Sequence, residues 1–119
     1  MNNEDIFCLE MLEKPDKAEA MQWFKEGISN GKVRTVGELN EKKTEKILTN
    51  LYELGSITVF AVEIDSYEDG DQTTDSLIVE LPEDKNLRAK LFKEIGKHAI
   101  KQGFDPDEDV GQKYLFMHW

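Results

Sequence analysis

Apolar residues recur along the chain at two spacings, and the switches between them mark out a short series of elements. Residues 5–12 (DIFCLEML) form an apolar run closed by Glu13, Lys14, Pro15 and Asp16, which predicts a strand because the proline bars a helix from running straight through. From Pro15, Ala18, Met21, Phe24 and Ile28 return every three or four residues, the signature of an amphipathic helix that Gly27 and the Ser29, Asn30, Gly31 cluster bring to an end. Residues 32–36 read as a short strand or extended connection. Asn40 caps a second helix whose stripe is Ile47, Leu48, Leu51 and Leu54, stopped by Gly55. Residues 57–65 (ITVFAVEID) predict a strand in the middle of a sheet, and residues 76–81 (SLIVEL) a second strand paired with it as a hairpin. The long connector, SYEDGDQTTD, is polar throughout. After Pro82, Asp84 or Asn86 caps a helix reaching Gln102, with Leu87, Leu91, Phe92, Ile95 and Ala99 inward and Lys90, Lys93, Lys97 and Lys101 outward. Residues 113–119 predict a final strand alternating Tyr114, Phe116 and His118 with Leu115, Met117 and Trp119.

The resulting order is strand, helix, helix, strand, strand, helix, strand, within one α+β domain of 119 residues. With the 15–28 helix taken as an addition, this is the βαββαβ order of a ferredoxin-like two-layer sandwich, an antiparallel sheet with helices on one face. A three-stranded C-terminal sheet under a separate N-terminal helical layer is the alternative. Either arrangement places the hairpin connector and the 103–112 loop at the same end of the domain.

Charge sharpens that picture. The chain holds 25 Asp and Glu against 15 Lys and Arg, a formal net charge of −10. Such a surface repels a phosphate backbone or an anionic bilayer, so neither nucleic acid nor membrane is an expected partner. No apolar run approaches the roughly 18 to 20 residues of a spanning helix, and the first residues lack a basic region followed by an apolar one, so a cytoplasmic location is expected. The single Cys8, between Phe7 and Leu9, is expected to be a buried thiol.

Both loops at the shared end are acidic. The connector carries Asp65, Glu68, Asp69, Asp71 and Asp75, and the second loop Asp105, Asp107, Glu108 and Asp109, with no basic residue in either. Beside the plain reading of two solvated loops, such a pole invites a cation or a basic partner. Asp105, Asp107 and Asp109 open like a calcium loop, but Val110 stands where the turn needs Gly and Phe116 where a bidentate Glu belongs; Asp65, Asp69 and Gly70 match other positions of that pattern, while Tyr67 and Ser76 break it. A calcium or magnesium site outside the EF-hand pattern would draw on Asp105, Asp107, Asp109, Asp65 and Asp69. A basic protein would instead meet Glu68, Asp71 and Glu108. Tyr114, Phe116 and His118 would add contacts to it, or to a second copy in a homodimer, if their face of the sheet lies away from the helices. No phosphate-cradling glycine loop, nucleophile elbow, HExxH or CxxC is present. The expected function is therefore a non-catalytic interaction or regulatory module, with divalent-cation binding second and a small enzyme third.

The stretches Leu51 to Gly55 (LYELG), Leu81 to Asp84 (LPED) and above all Asp109 to Leu115 (DVGQKYL) resemble a family of small bacterial proteins of unassigned function. The likeness spans most of residues 33–119 and implies a bacterial, cytoplasmic, stand-alone domain; it transfers no site residue. In that last stretch Gly111 is placed to end the acidic loop and Gln112 to hydrogen-bond its backbone.

Overall fold

The computed structural model describes residues 2–119, which form a compact α+β fold of four helices and eleven elements in all. In chain order these are α1 (Asn3–Leu12), β1 (Ala18–Glu19), α2 (Ala20–Ser29), β2 (Arg34–Val36), α3 (Glu41–Glu53), β3 (Thr58–Val62), β4 (Asp65–Ser66), β5 (Gln72–Thr74), β6 (Ser76–Glu80), α4 (Lys85–Lys101) and β7 (Tyr114–His118). The main sheet is antiparallel with order β1-β3-β6-β7, and a small second sheet has order β2-β5-β4.

Period-two alternation sorts the main sheet's side chains onto two faces. Val59, Ala61, Leu77, Val79, Leu115 and Met117 face α2, α3 and α4, meeting Phe24, Leu48, Leu51, Leu91 and Ile95 in the larger core. Phe60, Val62, Ile78, Tyr114 and Phe116 face the other way, against Cys8 and Met11 of α1. Helices therefore cover both faces rather than one. The ferredoxin-like βαββαβ order is not confirmed, because a helix stands where its first strand was expected.

That helix has a local cause. Asn2 accepts a hydrogen bond from Asp5 N (2.9 Å) and caps the first turn, where Glu4 and Asp5 favour the positive end of the macrodipole. Asp5, Cys8 and Met11 then recur every third residue on the buried side. Pro15 lies beyond the helix and breaks nothing. The 15–28 helix begins later than its periodicity suggests, at Ala20, because Glu19 caps it through Met21 N (3.0 Å) and Gln22 N (2.7 Å) while Ala18 and Glu19 pair with the edge of β3.

The C-terminal elements follow the expected pattern. Asn40 and Asp84 cap α3 and α4. The hairpin of β3 and β6 pairs Ala61 with Leu77 and Phe60 with Ile78. β7 pairs Ser76 with His118 and Glu80 with Tyr114, so it starts beside the end of β6 and finishes beside its beginning. This register corrects the placement of the loops. The connector leaves from the Ser76 end of the sheet, whereas the 103–112 loop travels back along α4 to the Glu80 end, where Asp109 meets Arg88. The two acidic loops do not form one pole.

Candidate functional site

The connector spends its polar groups on itself and its neighbours. Asp71 Oδ1 accepts from Val33 N (2.7 Å), Lys32 Nζ donates to Asp69 O (2.6 Å), and an Arg34 Nη donates to Gly70 O (2.9 Å). Asp69 also accepts from Asp71 N (3.0 Å), a backbone bond that holds its carboxyl below the usual range. Gln72, in β5, bridges Ser66 Oγ and the Trp23 indole. Asp65 and Glu68 remain exposed.

The 103–112 loop is tied down mainly at its far end. Arg88 binds Asp109 with two parallel bonds (2.7 and 3.1 Å) and also donates to Pro82 O and Gln112 O. The Asp109 pKa is lowered by this bond. Gln112, 2% exposed, accepts from Val110 N and donates to Glu108 O, and Gly111 takes the left-handed conformation (φ 82°) that ends the loop. Between these anchors Asp105, Asp107 and Glu108 have no Lys or Arg partner among the described residues.

Instead, that stretch lines a groove of about 320 Å³. One bank is α4 and the loop, through Phe92, His98, Phe104, Asp105 and Asp107; the floor is Leu115 to His118 of β7; Glu4 of α1 closes one end. The side chains of Glu4 and Asp107 meet there. Burial first, then the Asp107 charge, push the Glu4 carboxyl up to about 7, against the opposing pull of Gln112 and the Phe116 amide. Phe104, 59% exposed, presents an aromatic face beside them.

The groove follows the free edge of β7. Lys113 O and Trp119 N bond toward β6, so the even-numbered residues turn their backbone groups outward. Asp5 takes the Tyr114 amide (3.0 Å) and His98 Nε2 meets His118 O (3.0 Å). On its other side α4 borders a second groove of about 470 Å³, lined by Ile47, Leu51, Ile95, Ile100, Met117 and Trp119. His98 stands between the two, its ring packed at a 44° tilt against Trp119 (4.2 Å between centroids), with its pKa lowered chiefly by burial.

The structure thus redistributes the expected residues. Asp65, Asp69, Glu68 and Asp71 belong to the connector, Asp109 to the Arg88 anchor, Asp105 and Asp107 to the groove, and Glu108 to the rim behind it. Among the described residues no three His, Cys, Asp or Glu are gathered as a metal ion requires. α1 covers the face carrying Tyr114 and Phe116, so Tyr114 is only 7% exposed, while Phe116 stacks edge-on with Phe7 (5.0 Å) and His118 stays open. Glu4, His98 and Phe104 complete the groove. No local pattern marks Glu4: it precedes the apolar run of 5–12, and only the helical course of α1 brings it to the distant Asp107.

Two other places carry residue types used in catalysis. Ser76 Oγ lies 3.1 Å from His118 Nδ1, and Ser76 is only 2% exposed and does not line the groove. Cys8 is buried as expected, and burial pushes its thiol up to about 12. Among the described residues no helix is long and apolar enough to cross a membrane. In comparisons with known proteins, no family model, no curated protein and no solved structure matches the chain.

Proposed function

We propose that this protein is a non-catalytic interaction module of the cytoplasm that captures a basic segment of a partner protein in the groove along β7. The observation that carries this reading is the make-up of the groove: carboxylates from two elements, Glu4 and Asp107, converge in a cleft that the exposed Phe104 ring also lines, with no Lys or Arg among the lining residues. Two facing carboxylates repel, and an ammonium or guanidinium placed between them relieves that repulsion, with the exposed Phe104 ring available to its apolar stem. The overall charge of −10 adds long-range attraction for a basic partner and speeds its encounter. A reduced, buried Cys8 suits the cytoplasm.

A display library of random peptides panned against the domain tests this directly. Enrichment of Lys or Arg next to an apolar residue, lost on the double variant E4Q/D107N, is the expected result. Enrichment that ignores the double variant, or that selects acidic peptides, would overturn the reading.

One observation favours a second reading. A carboxyl titrating near neutrality beside a second carboxylate in an apolar groove is also the equipment of an acid-base enzyme. Turnover of any substrate that disappears in E4Q and in D107N would establish it.

A further inference from the structure

The groove's floor is a strand edge, and that constrains how a partner lies in it. β7 is the last strand of the main sheet, and its even-numbered backbone groups face the groove. Asp5 occupies the Tyr114 amide and His98 the His118 carbonyl, one at each end. Between them run, in order, the Tyr114 carbonyl, the Phe116 amide and carbonyl, and the His118 amide. Of these four, the Phe116 amide bonds to the Glu4 carboxylate, and no bond from another described residue reaches the other three. Acceptor, donor, acceptor, donor is the ladder that an added strand completes: three of the groups are open, and a carbonyl of that strand would take the Phe116 amide from Glu4, releasing the carboxylate for a cation. The edge carries neither proline nor bulge to discourage pairing, and Lys113, just before it, is turned to Glu80.

Building on the groove reading above, we infer that the occupant is an extended basic segment of a partner protein that adds to β7 as a fifth strand of the main sheet, seating a Lys or Arg side chain at the Glu4 and Asp107 pair. The ladder draws on three alternate residues, Tyr114, Phe116 and His118, across the five of β7, so a short segment suffices. A second copy of this chain is a poorer occupant. Pairing β7 with its own counterpart would bring two sets of Glu4, Asp105 and Asp107 together on chains that each carry −10.

The probe is the peptide acetyl-Thr-Val-Arg-Val-Thr-amide, with two analogues: one N-methylated along the edge that would pair with β7, and one with citrulline in place of arginine. Backbone NMR of the whole protein during titration should show the parent shifting the Phe116 and His118 amides, and exchange of the His118 amide should slow. Each analogue should bind about tenfold more weakly, the effect of one lost well-formed hydrogen bond or charge contact. An N-methylated analogue that binds as well as the parent would overturn strand addition while leaving the basic-partner reading intact. A citrulline analogue that binds equally well would overturn the cation's role, and with it both readings. Absence of any shift at Phe116 or His118 with millimolar parent peptide would overturn strand addition. So would the same shifts appearing on concentrating the protein alone, which would assign the edge to a second copy.

Discussion

The two acidic loops have nearly the same composition and opposite chemistry. In the connector, the Asp69 and Asp71 carboxylates and the Asp69 and Gly70 carbonyls are taken up by Lys32, Val33, Arg34 and neighbouring amides and tie it to the small second sheet, while Asp65, Glu68 and Asp75 stay exposed. In the 103–112 loop, Arg88 holds one end and Asp105 and Asp107 are left along a groove, where Asp107 faces Glu4. What separates their unpaired carboxylates is the setting: Asp65, Glu68 and Asp75 are exposed on the connector, whereas Asp107 meets Glu4 in a lined groove. An acidic run becomes a site for a partner where its free carboxylates converge with others in a cleft.

The largest test of this contrast concerns the anchor that divides the second loop into a fixed and a free part. Arg88→Ala removes a bidentate ion pair and two bonds to backbone carbonyls from a side chain only 11% exposed, and should cost about 2 to 3 kcal/mol in chemical denaturation. A loss below about 1 kcal/mol would mean that Asp109 is as free as Asp105. In the native protein the contribution of this pair is fully present above the ordinary Asp value and fades as pH falls through the lowered Asp109 pKa.

Next in size is the connector itself. Asp71→Ala strands the Val33 amide and should cost about 1 to 1.5 kcal/mol, whereas Asp107→Ala should cost nothing or stabilise slightly by relieving Glu4. Equal effects in equilibrium unfolding would erase the distinction between the loops.

Glu4→Gln probes the same pair through pH. Because the folded-state pKa is raised from 4.5 to about 7, the folded protein holds its proton more tightly than the unfolded chain. Stability from this group is therefore present at acid pH and declines as pH climbs through that window. The decline should be about 1 kcal/mol once solvent screening of a partly exposed group is allowed for, and the Gln variant should lack it. Melting curves of both proteins between pH 5 and 8 should converge at the acid end and separate at the basic end; parallel curves would contradict the assignment. The smallest effect is expected from D105N/E108Q, within about 0.5 kcal/mol of the native protein, since neither side chain is paired with a cation.

Much of this fold was legible from periodicity alone. α3 and α4 show their stripes, caps and terminal glycines in sequence, and β3, β6 and β7 show alternation on a sheet buried on both sides. α1 was not legible as a helix, because the buried acid Asp5 belongs to its inward stripe and hydropathy counts it as outward. Its carboxylate is buried because Lys113 N and Tyr114 N donate to it, a partnership across most of the chain that no local pattern reveals. The second sheet escaped for a similar reason: β2 and β5 are parallel and far apart in sequence, and their strength lies in side-chain to backbone bonds rather than apolar alternation. The groove depended on both missed features. Phe116, His118, Asp105 and Asp107 were identifiable as candidates, but only the position of α1 brings Glu4 to them and turns a charged loop into a lined cleft.

The central claim is that the carboxylates of the groove, and not those of the connector, receive a basic partner. One peptide enriched by panning, titrated at a single ionic strength into the native protein, E4Q/D107N and D65N/E68Q, tests it most directly. The account predicts a loss of about tenfold or more for the groove variant and an affinity within about twofold of native for the connector variant. Equal losses in both, or a loss confined to the connector variant, would contradict it.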